Sequence, residues 1–455
     1  MSEAMKEQNK NQEEDKLKIK QQETFGEIVK GLAEFGGFGF LESAISGLAN
    51  MNSDREARKR IFLNDEKKEK ERRSLLKVLE LWIEVLESGQ DVAAMLELCR
   101  SKGAASDEVL RKNQLNAVKE VRDLERSYRS VKLFFDNAGS DKLRNITFVN
   151  ANIKQLTDLD NPIYLKAIGA ELKSNYDRLD LRDNYSILVI PGYLESNVIL
   201  KEWMKICEEN KTSLVTDFMD LSDKEDVVDL FMSANLTGGE LYRSKAMMCC
   251  NWPVGRRRYA ELGETEDLRI PPSTGLAGYM YKQKISQVVA GKTHGSISGV
   301  DGVAFPLLKS EISILGNLGL IPFVYEYSQV MAFSERTLYS GDDIGWKTYS
   351  VVRTFDHTFK VLCDFVNRRA FENWDTASEK KQRQIIVSYL DSIKGPGKEI
   401  EDYEIQAFRQ DPVTKHIYLF FALKAFFPGK TYVIKMDGMK VNDKVEWKAE
   451  YLEQE

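Results

Sequence analysis

Residues 1–23 interleave acidic, basic and amide side chains with only scattered apolar positions. That leaves too little buriable surface to offset the entropy of ordering, which predicts a disordered tail. The pattern changes at Thr24. With Glu27 it forms a capping box, each side chain accepting a backbone N–H at a helix start, and Phe25, Ile28, Leu32 and Phe35 then recur at helical spacing. Gly36, Gly37 and Gly39 break the run. Leu41, Ile45 and Leu48 resume it in a second short segment, ahead of a charged run over 53–73. The two stripes are read as partner-docking positions, with packing on this chain's own core as the equal alternative.

Further along, Leu75, Leu79, Trp82, Ile83 and Leu86 mark an amphipathic helix ending near Gly89. A longer helix is predicted over 107–135, in which Val118, Val121, Leu124, Tyr128, Val131 and Phe135 form one stripe expected to be buried. Ile146 to Val149 reads as a strand. From Tyr185 the texture alternates: Ser186–Ile190, a helix over 197–209, Ser213–Thr216, a helix over 223–234 and Ala246–Cys250 predict a sheet, largely parallel, with covering helices. Residues 263–310 are rich in Gly, Pro and Ser and carry no strong period. Helices follow over 344–370 and 377–394, the second stopped by Gly395-Pro396-Gly397, and the end of the chain reads as strands at Ile417–Phe421, Thr431–Met436 and Val445–Tyr451. These shifts divide the chain at 1–23, 24–73, 74–184, 185–343 and 344–455.

Composition narrows the function. The 455 residues carry 65 Lys and Arg against 71 Asp and Glu, a net charge of -6 that gives nucleic acid no purchase. No apolar run reaches the roughly 18 residues of a membrane span, and the N-terminus lacks a secretory signal, so a cytoplasmic chain without membrane insertion is expected. The cysteines Cys99, Cys207, Cys249, Cys250 and Cys363 show no zinc or disulfide spacing and read as reduced thiols.

Enzyme signatures fail on their own geometry. Gly291-Lys292-Thr293 resembles the end of a phosphate loop, but Ser286 stands where its first glycine belongs. The stretch Gly295–Gly299 places Ile297 where a nucleophile elbow needs Ser. Gly37 and Gly39 start a dinucleotide fingerprint that fails at Glu42, and His294, His357 and His416 are far apart in sequence. No catalytic, cofactor-binding or metal-ligating residue is assigned and no cofactor is expected.

Order and spacing carry a resemblance instead. YSILVIPGYLESNVILKEWMKICEENKTSLVTDF (185–218), MMCCNWPV (247–254), IPPSTGLAGYMYKQ (270–283), the glycine-rich 291–323 and FSERTLYSGDDIGWKTYSVVRTFDHTFKVLCDFVNRRAFENW (333–374) resemble, in sequence, the conserved segments of contractile sheath proteins. LERSYRSVKLFFDNAGSDKLRNITFVNANIKQLTDLD (124–160) resembles the large sheath subunit of type VI secretion systems. Tyr128 stands where that family commonly has Trp and Ser130 also departs, which places the chain in a divergent branch. The resemblance implies an α/β sheath-type fold with a mixed or parallel sheet, N-terminal helical segments and a C-terminal β-rich region forming inter-subunit strands. It also implies a structural role: assembly with a small sheath subunit, on which 74–184 would pack, and with copies of itself into a helical tube. That tube would enclose an inner tube protein, meet a baseplate, and be recycled by a hexameric ATPase that in some members grips an N-terminal helix.

Val445, Trp447, Ala449 and Tyr451 alternate with polar residues and share one face if extended. They are expected to be donated to another subunit, the alternative being a hairpin with 431–436 through Asp437-Gly438. Two other functions stay open: a single-protein, phage-like tail sheath, and an α/β enzyme with a cleft near Pro191 and Asp217.

Overall fold

A computed structural model describes residues 60–88, 91–139, 143 and 145–429, together with the backbone of 434–438 and 447–451. The stripes Phe25 to Phe35 and Leu41 to Leu48, and Val445, lie outside the described residues. The chain divides into two units, 1–117 and 118–455.

In the first unit, α1 (Glu69–Ser88) begins with Glu69 and Glu71 against the positive end of the helix dipole. The Arg72 guanidinium donates to the carbonyls of Phe62 (2.8 Å) and Asp65 (2.6 Å), fixing the preceding turn. Leu75, Leu79 and Trp82 are half-buried, whereas Leu76, Leu81, Ile83 and Leu86 are exposed. The next helix, α2 (Val92–Ala138), starts fifteen residues before the sequence pattern suggested, because the polar stretch Ser101–Asp107 has adequate helix propensity and no proline to stop it.

The second unit is built on a six-stranded sheet, which α3 (Ile163–Tyr176) precedes. The chain runs β1 (Ile187–Ile190), α4 (Asn197–Glu209), β2 (Ser213–Asp217), α5 (Lys224–Ala234) and β3 (Ala246–Cys250). It continues through the ribbon β4 (Val254–Arg256) and β5 (Leu268–Arg269), then α6 (Pro272–Lys282), β6 (Ser296–Ile297) and α7 (Lys309–Leu318), to β7 (Leu320–Glu326) and β8 (Gln329–Ala332). Strand order is β1-β2-β3-β7-β8-β6. The first four strands are parallel, with Val189 beside Val215 and Val215 beside Met247, and β8 and β6 are antiparallel additions. The sheet is thus mixed.

Both faces are covered, which is why the strands read as unbroken apolar runs. Ala246, Met248 and Cys250 turn to a core shared with Trp203, Met204 and Cys207 of α4 and Phe231 of α5. Met247 and Cys249 turn the other way, toward Leu133 of α2 and Leu276 and Met280 of α6. The α6 helix lies inside the stretch that showed no period: Gly275 and Gly278 weaken the local signal and are there for close packing. A Cβ at Gly278 would sit 2.4 Å from the Phe134 carbonyl oxygen of α2.

A third cluster forms where α8 (Tyr349–Asn367) and α9 (Thr376–Ile393) cover the long antiparallel pair β9 (Ile400–Gln410) and β10 (Ile417–Ala425). Leu362, Ile386, Leu390 and Phe408 are its buried centre. Beyond it, β11 (Ile434–Gly438) pairs antiparallel with β12 (Trp447–Tyr451), Gly438 opposite Trp447, Met436 opposite Ala449 and Ile434 opposite Tyr451. The hairpin alternative is therefore the pairing within the chain. Its turn is not at Asp437-Gly438, since both residues lie inside β11.

Two expectations need correction. Ile146–Val149 forms no strand: it makes no ladder with any described strand, and the segment is held by Thr147 and Tyr185 hydroxyls 2.6 Å apart and by Phe148 stacked on Phe135. The stripe of α2 is not buried, as described next. Among the described residues, no helix is long and apolar enough to cross a membrane.

Candidate assembly surfaces

From the half-buried Val118 onward, α2 is mounted on the sheet domain by its arginines and Glu125, with Leu133 buried against the sheet. Arg122 pairs with Glu264 (2.5 Å) and donates to the Asp267 carbonyl (2.9 Å). Arg126 donates to the Arg269 carbonyl and Arg129 to that of Gly255. Glu125 accepts from both Arg129 (2.8 Å) and Arg256 (2.9 Å), and Arg256 reaches on to Glu264 at 2.8 Å. About two turns after Arg129, Asn137 acts as a short strand edge: its Oδ1 accepts from the Ser298 N–H (2.9 Å) and its Nδ2 donates to the Ser298 carbonyl (3.1 Å).

This is a fully engaged ionic network. The Arg256 hydrogen bond holds the Glu264 carboxyl below its ordinary range. Burial alone would raise Glu125, but its bonds to Arg256 and Arg129 outweigh that and leave it lowered. Arg256 is held further above its usual value, chiefly by Glu264.

The apolar side of the same helix points outward. Leu124 is 72% exposed and Tyr128 66%, and Val121, Val131 and Phe135 are exposed as well. Phe148, also exposed, extends the patch past Phe135, ring centroids 6.1 Å apart. A surface helix of a globular domain normally hides its apolar stripe. Here the reverse holds, and contiguous apolar patches of this kind mark interaction sites.

The end of β2, where a ligand cleft was considered beside Pro191, is closed. Asp217 is fully buried, and its carboxylate accepts from the Gly192 N–H (2.8 Å), the Ser273 N–H (2.7 Å) and the Ser273 hydroxyl (2.5 Å). Those donors favour the charged form, yet burial dominates and pushes the group up to about 7. Asp217 thus clamps the β1 turn to the start of α6. The order β1-β2-β3-β7 also runs in one direction, without the reversal that opens a ligand crevice in α/β sheets.

Lys292 lies over the Tyr327 ring, the Ser298 backbone is paired with Asn137, and the buried Cys249 thiol is pushed well up by burial. No group of three or more His, Cys, Asp or Glu residues among the described ones could hold a metal ion. Of the partner-binding candidates, Trp447, Ala449 and Tyr451 fall in β12. The outward stripe of α2 was missed as a surface: its spacing shows in the sequence, but nothing in that spacing says which side is covered.

A helix held on the sheet domain by an ionic network, with an apolar side left open, describes a surface built to meet another protein. Three family models match along the chain: the TssC/VipB-like N-terminal region over 26–114, the type VI secretion system TssC/VipB central domain over 116–340, and the TssC/VipB-like C-terminal domain over 348–453. The chain belongs to the TssC/VipB family and is a structural subunit of a contractile type VI secretion sheath, assembling with itself and related sheath components. No curated protein matches it.

Among solved structures, a chain of the anti-feeding prophage baseplate is 14% identical, with a TM-score of 0.48 over 68% of this chain and 80% of that one. The contracted helical sheath of the same prophage is also 14% identical, with a TM-score of 0.46 over 69% and 81%. The contracted PVC sheath complex of an extracellular contractile injection system is 15% identical, with a TM-score of 0.43 over 67% and 90%.

Proposed function

We propose that this subunit works as one half of a pair, its α2 stripe covered by the small sheath subunit. The pair would assemble around an inner tube in the bacterial cytoplasm and contract to expel it. The observation that carries this is the inverted mounting of α2, with Arg122, Arg126 and Arg129 holding the helix from below while Val121, Leu124, Tyr128, Val131 and Phe135 face out. Covering five such side chains supplies on the order of 5 kcal/mol of gross apolar stabilisation. Sheath resemblance adds a baseplate and a recycling hexameric ATPase that in some members grips an N-terminal helix, so the stripes at 24–48 would serve either that ATPase or the small subunit. The role needs no active site in this chain, since the energy of expulsion would reside in the extended lattice.

The test is co-expression with a small sheath subunit. The double variant L124E/Y128E should keep the circular dichroism of the parent, because both side chains are exposed, and should lose co-purification and tubes. Retained pairing would sink the reading. Tubes formed by this chain alone would move it to the single-protein, phage-like sheath.

A further inference from the structure

The turn after α8 holds an aromatic side chain in a conformation that packing within the subunit does not explain. Phe371 has φ +68° and its ring is fully exposed, at 106% of the reference area. An aromatic residue in the left-handed region is strained, and such strain persists where the surrounding structure imposes it, often at working surfaces. Arg369 cannot shield the ring, since its guanidinium lies 4.2 Å from the centre of Phe365. Glu372 follows, exposed, with one long hydrogen bond of 3.3 Å from Gln382.

The same module carries a complementary hollow. Between α8 and β10 a groove of about 430 Å³ is lined by Phe355, Phe359, Phe421, Ala422 and Leu423, with Lys211 and Asp356 at its polar edge. Phe355 and Phe359 are four apart on one helix face and partly open to solvent. Cations outnumber anions there. Asp356 is paired with the buried Lys245 (2.5 Å), while Lys360 donates only to the Tyr185 carbonyl (2.8 Å) and lies within electrostatic reach of Lys211, Lys245 and Asp356. An aromatic ring with a carboxylate beside it suits both the lining and the charge. The groove cannot receive its own Phe371, because the helix between Phe359 and Asn367 alone separates them by about 12 Å.

We propose that Phe371 of one copy plugs the groove between α8 and β10 of a second copy, Glu372 meeting Lys211 at the mouth. Knob and hollow are different patches of one surface, so a one-way contact between copies is heterologous and, where its rotation does not close a ring, propagates into an open helical array. That propagation rests on sheath membership, whereas the contact rests on the geometry alone.

The experiment uses the full chain, alone and co-expressed with a small sheath subunit. The F371C/A422C double variant, in which a disulfide stands in for the lost ring contact and so restores assembly under oxidising conditions, should give a disulfide-linked ladder of this chain on a non-reducing gel. Neither single variant should, the native cysteines being buried or half-buried. F371A should fold with a Tm close to the parent's, because the ring is fully exposed and alanine keeps the same backbone, and yield at least tenfold fewer tubes. E372K and K211E should each weaken assembly, and the double exchange should restore it. Tubes without a ladder, a cross-link from position 371 to the small subunit, or normal tubes from F371A would overturn the contact. A ladder from the chain alone, without tubes under any condition, would keep the contact and remove its sheath role. No ladder in either setting overturns the contact itself.

Discussion

Asp217 shows how much of this protein's polar chemistry is structural. The apolar run from Ser213 marks a strand, but an aspartate at a strand end reads as solvent-facing, and only the approach of Gly192 and Ser273 makes it internal. Truncation by D217A leaves two buried N–H groups and a hydroxyl without acceptors, so a loss of about 2–4 kcal/mol is expected in urea unfolding. Titration gives a sharper signature. With the folded group at about 7 and the unfolded one near 3.9, the folded state holds the extra proton between those values. Its stabilisation is complete below about pH 4 and is lost as pH rises toward 7. The neutral variant D217N lacks this dependence. Its stability relative to the parent should therefore improve steadily from pH 4 to 7, and a gap that stays flat would show that Asp217 titrates as an ordinary carboxyl.

At the scale of elements, what could be read from sequence divides by physics. Period and length are local, so α4, β2, α5 and β3 fall where the apolar pattern places them. Which face of a helix is covered depends on neighbours, and the stripe of α2 was expected on the wrong side because Arg122 and Arg129 can bury their stems and pair with Glu264 and Glu125 while Leu124 stays outside and Leu133, off the stripe, is buried. Ile146–Val149 had the residues of a strand but joins no described ladder, and α6 had glycines that weaken a helix signal while permitting contact with α2. The mount can be tested separately from the stripe. E264Q weakens the charge holding Arg122 and Arg256 and should cost about 2 kcal/mol, below the figure for breaking a deeply buried pair because Arg122 keeps some solvent. Since Glu264 is lowered by Arg256, its contribution is present above the ordinary glutamate range and lost as pH falls through the depressed value. G278A should also destabilise, by about 1–3 kcal/mol: the Phe134 carbonyl is backbone and has little room to yield, so the clash exceeds the gain of about 1 kcal/mol in helix propensity. A neutral or stabilising G278A would mean that α2 rides more loosely on α6 than the geometry shows.

For the whole molecule, the question is which parts fold for themselves and which for the lattice. The three apolar clusters are built from residues of the sheet, its covering helices and the β9–β10 pair. The hairpin of β11 and β12 shares no ladder with any other described strand, and an isolated two-stranded hairpin is marginal in water. Both of its outer edges can therefore accept a strand, and strand addition supplies main-chain hydrogen bonds along a whole edge. This changes the form of the expected donation: the unit to be exchanged is the hairpin, not β12 alone, because β12 already has β11 as a partner. Deleting 444–455 should then do more than remove one strand. It strips β11 of its partner, leaves a single exposed strand of five residues, and should abolish tubes while circular dichroism and the urea midpoint of the remaining chain stay near those of the parent. Replacing Met436 and Lys435 by proline keeps the full length but removes N–H donors from β11, and should give the same loss of tubes. If both variants still assemble, neighbouring subunits are joined elsewhere, and the stripe of α2 and the Phe371 turn would have to hold the lattice without help from the hairpin.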